Sequence, residues 1–262
     1  MARLRELLAQ CRFGRRIDAY DSVGSTNDVA RLLGRQGAAD GTLVIAEYQS
    51  AGRGRRARVW ESVAAAGLYM SLLLRPRAMH ESYPAALQLL AGVALAETLS
   101  PLLPQPAELL WPNDCVCLGQ KLAGVLVESE ATGPELDFLV CGIGVNVNQA
   151  RADFSPRLGA LATSVGALAG RRIDRAALLV DLLFALEAWD EVARGSGIEP
   201  IIGRWLELAP SATGSGVEVE TDAGLVVGES AGLSERGYLV VNTERGLVEI
   251  VTGELVRVRR RQ

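Results

Sequence analysis

The stretch YPAALQLLAGVALAETLSPLL, residues 83–103, reads as a helix that is apolar almost all round, broken mainly by Gln88 and Glu97. Such a helix has no face to give to water, so it belongs in a protein core or in a bilayer. No apolar stretch of this chain reaches about 18 residues without interruption, so neither a spanning segment nor a membrane partner is expected. That leaves a core helix, and 262 residues, 49% of them hydrophobic, have the material to enclose it. The length suits one large domain, or a medium domain with a small appendage.

Around this helix the pattern alternates. Residues 3–12 read as a short amphipathic helix and IDAYDSV as a strand. STNDVARLLGRQG reads as a helix, capped by Ser25 or Thr26 and stopped at Gly37. GTLVIAEYQ and LYMSLLLRP, the latter ending at Pro76, are strands on either side of an unpatterned loop. AELLW, DCVCL, KLAGVLVESE and ELDFLVCGIGVNVN are four strand candidates in succession, followed by helices at about 157–169, 174–193 and 198–208. After APSATGSG the texture changes to short alternating strands, with turn signals at Asp222–Gly224, Ser234–Gly237 and Glu244–Gly246. This predicts a first domain over 1–211 and a small all-β unit over 215–262, a partly open barrel.

Composition removes several functions. A net charge of −4 argues against a general nucleic-acid binder. The basic end RVRRRQ reads as a solvated tail. Cys11, Cys115, Cys117 and Cys141 form no C-x-x-C pair and His80 is the one histidine, so a zinc site is not expected. Ser-His or Cys-His catalysis would need His80 as its base. The thiols suit a reducing cytoplasm, and the charged N-terminus MARLRELLAQCRFGRR lacks the apolar core of a signal peptide.

The charged residues hold one anomaly. Of 27 Lys and Arg, a single residue, Lys121, is lysine. A slim point charge suits a site too narrow for a planar guanidinium. Near it in sequence lie WPND (Asn113, Asp114) and GIGVNVNQ, and four of the five asparagines (Asn27, Asn113, Asn146, Asn148) fall within such motifs. The loop AEYQSAGRGRRAR sets Arg53, Arg55, Arg56 and Arg58 among Gly52 and Gly54, directly after a strand. It is not a P-loop, but glycines let a ligand approach and arginines grip anionic oxygens. Empty, such a loop repels itself and should be mobile. Asp114 can offer oxygen to Mg²⁺. GSTND, residues 24–28, opens a helix, where Ser25 and Asn27 can face a ligand. Read singly, each has a plainer account: a solvated loop, a Pro-Asn-Asp turn, helix capping.

Read together and in this order, STN, AEYQSAGRGRRARVW, WPND, KLAGVLVE and GIGVNVN resemble the biotin protein ligases, closely over residues 20–150. The C-terminal β unit resembles that family's SH3-like end domain. The resemblance implies an α/β fold, a mixed sheet flanked by helices and related to class II aminoacyl-tRNA synthetases. It implies a cytoplasmic enzyme that joins biotin and MgATP into biotinyl-5′-adenylate, then acylates one lysine of a biotin carboxyl carrier protein. Only 24 residues precede Ser25, too few for the DNA-binding domain of bifunctional members, so a monofunctional ligase without DNA is expected, as monomer or homodimer. Lipoate or octanoate transfer on the same fold is the nearest alternative, and a nucleic-acid module using the arginine loop is a further one.

By the same resemblance Ser25, Thr26, Asn27 and Gln49 serve the ureido head of biotin, with backbone near Gly52, Gly54 and Leu126. The ring and chain lie against Trp60 and the Lys121–Gly124–Leu126 strand. Lys121 points between the biotin carboxylate and the ATP α-phosphate, and Arg53 reaches the same anions. Arg55, Arg56 and Arg58 grip nucleotide or adenylate, while Asn113, Asp114 and Asn146 help place ATP and Mg²⁺. One position departs from the family: Ala57 stands where glycine is usual after the arginine pair, and strain is expected there if that residue needs φ > 0.

Overall fold

The computed structural model describes residues 2–75, 83–133 and 135–259; His80, Pro76 and residues 260–262 of the basic tail lie outside them. The chain begins with helix α1 (Ala2–Leu7), shorter than the expected 3–12 because residues 8–10 leave the helix in a turn. Then come β1 (Ile17–Val23), α2 (Thr26–Arg35), β2 (Thr42–Gln49) and β3 (Leu68–Leu74). The apolar helix α3 (Tyr83–Leu99) follows. Next are β4 (Glu108–Leu110), β5 (Asp114–Cys117), β6 (Gln120–Thr132) and β7 (Glu135–Val145). These seven strands make one mixed sheet, in the order β1-β2-β3-β7-β6-β5-β4. Only β1 and β2 run parallel; the other neighbours are antiparallel.

Helices α4 (Val165–Ala169), α5 (Arg175–Ser196) and α6 (Glu199–Glu207) come next. The helix expected from 157 starts only at Val165: residues 156–161 form turns and Ala162 bridges β6 at Lys121, whose amide donates to the Leu161 carbonyl at 2.8 Å. From Thr213 a second, antiparallel sheet is built from β8 (Thr213–Thr221), β9 (Gly224–Leu233), β10 (Leu239–Thr243), β11 (Gly246–Ile250) and β12 (Glu254–Arg259). Its order is β11-β10-β9-β8-β12.

Alternation along the strands divides the core. Leu43, Leu72, Leu74, Leu139 and Cys141 point into the larger core, on the side of the sheet that carries α3 with α5 and α6 packed against it. Val44, Leu73, Phe138 and Val140 face α2 on the other side. The length and composition of α3 would suit a bilayer, but here the sheet and two helices take the place of lipid. All four cysteines are free and buried. Burial pushes the thiols of Cys11, Cys115 and Cys141 up to about 12, so they hold almost no thiolate near neutrality. Iodoacetamide at pH 8 is expected to leave these three unlabelled in the native protein and to label them once urea unfolds it, read by mass spectrometry. Rapid labelling of the folded chain would contradict their burial.

A buried carboxylate ties the helical layer to the N-terminal segment. Asp190 on α5, wholly buried, accepts from Tyr83 and pairs with Arg12 and, at 2.5 Å, with Arg194. Arg12 also reaches Asp40 at 2.5 Å, at the corner before β2.

Candidate active site

The site is built where side chains on the α2 face run out. On β7, Phe138 and Val140 pack beneath α2, and the next residues on that face are Gly142 and Gly144. Gly144 lies opposite Gly124 of β6, and Gly142 opposite Leu126. The floor here is bare backbone. A Cβ at Gly142 would come within 2.1 Å of Asn27 Oδ1, and one at Gly144 within 2.5 Å of the Trp60 ring. A Cβ at Gly124 would meet both Trp60 and Lys121 at 3.3 Å. Glycine is thus required by close approach at these strand positions. Trp60 covers this floor, and its indole N–H is buried without an acceptor among the described residues.

Beside the floor lies a buried polar cluster. Ser25, Thr26, Asn27 and Gln49 are each no more than 9% exposed. The Thr26 amide and hydroxyl both donate to Gln49 Oε1, at 2.8 and 3.0 Å. Ser71 Oγ lies 2.8 Å from Thr26 Oγ1 and 2.6 Å from Asn27 Oδ1, and Asn27 Nδ2 donates to Glu128 at 2.6 Å. The capping account therefore fails for Thr26, whose hydroxyl points to Gln49; Ser25 occupies the N-cap position without a side-chain cap bond. The stop at Gly37 does hold, with φ +84° just past the helix end.

The arginine loop crosses the floor as a hydrogen-bonded turn. Gly54 N–H donates to Arg58 at 2.7 Å, Arg58 N–H to Arg55 at 3.0 Å and Trp60 N–H to Gly52 at 2.9 Å. The turn inside is left-handed at two successive non-glycine residues, Arg56 with φ 50° and Ala57 with φ 58°. The strain expected at Ala57 is real, at about 1–2 kcal/mol per residue.

The self-repulsion expected of this loop is offset, because carboxylates pair with three of its four arginines. Arg53 makes a two-pronged pair with Asp28, at 2.6 and 2.7 Å, and comes within 3.5 Å of Glu128. Its hydrogen bonds hold the Asp28 carboxyl below the ordinary value, so this clasp is intact at neutral pH and is lost only as acid titrates it through that lowered value. Arg56 reaches the Glu220 carbonyl at 3.0 Å and Asp222 at 3.1 Å, and Arg58 pairs with Glu254. Arg55 alone of the four makes no side-chain hydrogen bond or ion pair among the described residues. Burial lowers its pKa, with Glu254 and Asp114 pulling the other way. It nonetheless stays charged.

Lys121 reaches this face through a β-bulge. Cys115 pairs with Ala123 but Val116 with Lys121, so Leu122 is an extra residue on β6. Leu122 and Ala123 both face the core, and Lys121 turns out toward the floor. Its Nζ lies 2.5 Å from Asp114 Oδ1 and 5.6 Å from the Trp60 ring centroid. Charge rather than alignment holds the pair, since that oxygen accepts no well-directed hydrogen bond. The asparagines collect here for backbone reasons. Asn113 Nδ2 donates to Val125 O at 2.9 Å, buried Asn146 donates to Lys121 O at 3.4 Å, and Asn148 bonds Ile173 both ways at 2.9 Å.

Sequence reasoning missed Asp28, Ser71, Glu128, Asp222 and Glu254. Ser71 and Glu128 could have been found, since alternation along β3 and β6 sets them on the glycine face. The other three meet the loop across long sequence separations. No cluster of three metal-binding side chains occurs among the described residues, so a hard cation would find one protein oxygen at Asp114 and need others from its ligand.

A sequence profile of the Biotin/lipoate A/B protein ligase family matches residues 20–146. The Bacillus subtilis bifunctional ligase/repressor BirA is 34% identical over 242 residues, covering 92% of this chain and 74% of the relative. The Mycobacterium tuberculosis biotin–[acetyl-CoA-carboxylase] ligase is also 34% identical, covering 94% of this chain and 90% of its own. Among solved structures, Aquifex aeolicus biotin protein ligase in complex with biotin and ATP superposes with a TM-score of 0.78 at 29% identity, over 94% of this chain and 100% of that one.

Proposed function

The chain belongs to the biotin/lipoate A/B protein ligase family, and from that premise we propose how its own residues carry out the reaction of a biotin protein ligase. Biotin and ATP are the substrates. A carboxylate oxygen of biotin attacks the α-phosphate, the bond to pyrophosphate breaks, and biotinyl-5′-adenylate remains. The amine of a carrier-protein lysine then attacks the acyl carbon, and AMP leaves with the electron pair.

The observation that carries this reading is the Lys121 ammonium above a floor without side chains, flanked by the arginine loop. An ammonium has three donors. One faces Asp114, which leaves two for the carboxylate and the phosphate as they approach. Ser25, Thr26, Asn27 and Gln49 line the ureido end, with Gly52, Gly54 and Leu126 offering backbone. Arg53 and Arg58 exchange their carboxylate partners for ligand anions, and Arg55 meets the triphosphate with no partner to give up. Asn113 and Asn146 act indirectly, by holding the β6 backbone at Val125 and at Lys121 itself. Asp114 would supply the protein oxygen to Mg²⁺ bound with ATP, which would offset phosphate charge. The buried Trp60 N–H supports a ligand acceptor at the floor, because an unmet donor is unfavourable by about 1–3 kcal/mol.

In this reading residues 1–211 are the catalytic domain and 215–262 the small C-terminal domain. The acceptor is a biotin carboxyl carrier protein, the compartment is the cytoplasm, DNA takes no part, and the enzyme works as a monomer or homodimer. Biotin-dependent exchange of labelled pyrophosphate into ATP tests the first step, with lipoate and octanoate as competing acids. Exchange driven by biotin alone supports the assignment; exchange driven by lipoate or octanoate, or none, overturns it.

Two variants probe the floor and the loop. Gly144→Ala pushes a methyl into the Trp60 ring, and overpacking of about 1–3 kcal/mol predicts a rise of roughly five- to a hundredfold in the KM for biotin. Steady-state exchange at varied biotin checks it, and an unchanged KM would mean the floor is not the biotin site. Ala57→Gly relieves a left-handed alanine, so a loop that closes more readily should release adenylate more slowly than the native chain. Equal release in a filter-retention assay would remove that idea.

A further inference from the structure

The second sheet holds the arginine loop from outside. Arg56 leaves the floor and reaches the β8–β9 turn, donating to the Glu220 carbonyl at 3.0 Å and to Asp222 at 3.1 Å. Two residues on, Arg58 pairs with Glu254 at the start of β12. Between these ties lies the strained pair, Arg56 and Ala57, both left-handed. A left-handed turn at two non-glycine residues persists only where surroundings over-determine it. Two backbone bonds close the turn locally, Gly54 N–H to Arg58 and Arg58 N–H to Arg55, but the Arg56 side chain itself bonds only to the C-terminal unit among the described residues. The tie also bears on Arg55, the loop cation without a partner, which precedes Arg56 directly.

We propose that Asp222 is a positioning residue for the ligase reaction: with the Glu220 carbonyl it anchors Arg56, fixes the left-handed turn, and so presents Arg55 to the nucleotide. Arg56 is then a strut to the C-terminal unit rather than a phosphate ligand. The inference rests on the ligase reading for its kinetic consequence, but the anchoring itself is measurable without substrate. Asp222 is 82% exposed on its side chain, so its replacement leaves the core intact. An exposed pair is weak alone and screened by salt. Its leverage comes from acting on a strained turn.

The test compares native protein, Asp222→Arg, and the exchanged pair Arg56→Glu with Asp222→Arg. Hydrogen exchange is followed at the Gly54, Arg58 and Trp60 amides, which donate within the loop. Reversing the charge should speed exchange there and raise the KM for ATP, each by about three- to tenfold, with kcat moved less. The melting temperature should hold, and the exchanged pair should recover part of both effects, since it restores the ion pair but not the donation to the Glu220 carbonyl. Unchanged loop exchange in Asp222→Arg overturns the proposal, as does faster exchange with an unchanged KM, or failure of the exchanged pair to recover. A native protein without biotin-dependent pyrophosphate exchange would instead sink the ligase reading, while amide exchange still decides the anchoring.

Discussion

Lys121→Arg is expected to slow biotin-dependent pyrophosphate exchange by about 10²–10³-fold while the protein stays folded. That is the usual effect of losing one donor aimed at developing charge in a closed site. The attacked phosphate gathers negative charge as a second anion reaches it, so a fixed cation acts more strongly in the transition state than before it. The setting of Lys121 favours a compact group. Its ammonium lies against Asp114 at 2.5 Å, under the Trp60 ring and within van der Waals reach of Gly124. A guanidinium is broader, and its planar fork matches one carboxylate side-on instead of bridging two anions. It would also separate reactants that must come to near-contact. Stability should barely move, because both partners of the ion pair are about a third exposed and such pairs are worth roughly 0–1 kcal/mol. Exchange rates within fivefold of native would remove Lys121 from the chemistry.

Asp190→Ala should give the largest loss of stability, about 2–4 kcal/mol, because it leaves the buried Tyr83 hydroxyl without its acceptor and removes the buried centre of an ion cluster. The carboxylate is wholly inaccessible and holds Tyr83, Arg12 and Arg194 together. Burial and this neighbouring carboxylate both push the Tyr83 hydroxyl well above its ordinary pKa, so it remains a donor. Removing Asp190 leaves that donor without an acceptor and takes the shared carboxylate from Arg12 and Arg194, although Arg12 keeps Asp40. For a chain of this size the melting temperature should fall on the order of 10 °C, measured by calorimetry. Asp190→Asn should fall less, since an amide oxygen still accepts from Tyr83. The cluster joins the first segment, the corner before β2, α3 and α5, all away from the glycine floor. Kinetic constants measured well below the transition should therefore stay near native. A drop of only about 2 °C would mean that the cluster is solvated in solution.

Much of this molecule is legible in one dimension. The apolar length of α3 requires burial, and the change of texture after residue 211 marks a second all-β sheet. The lone lysine, the Arg-Gly loop and the glycines of β6 and β7 single out the region proposed as the active site, because rare residues and side-chain-free positions are local properties. Alternation along β7 even selects the face, since Phe138, Val140, Gly142 and Gly144 must point one way. The same counting fails at Lys121. Two steps back from Ala123, it would face the core; the bulge at Leu122 turns it outward, and a bulge arises from pairing with β5, not from the β6 sequence. The asparagines look like ligand contacts in sequence but mostly bind backbone in space.

What composition and periodicity determined here is which residues are rare, buried or bare, since those follow from each side chain's own chemistry. Only the folded chain decided which charges meet. Asp28, Asp114, Asp222 and Glu254 each hold one cation of the site, across separations of 25, 7, 166 and 196 residues. Coulomb attraction carries no sequence signature: it acts through space, and space is assigned by the sheet.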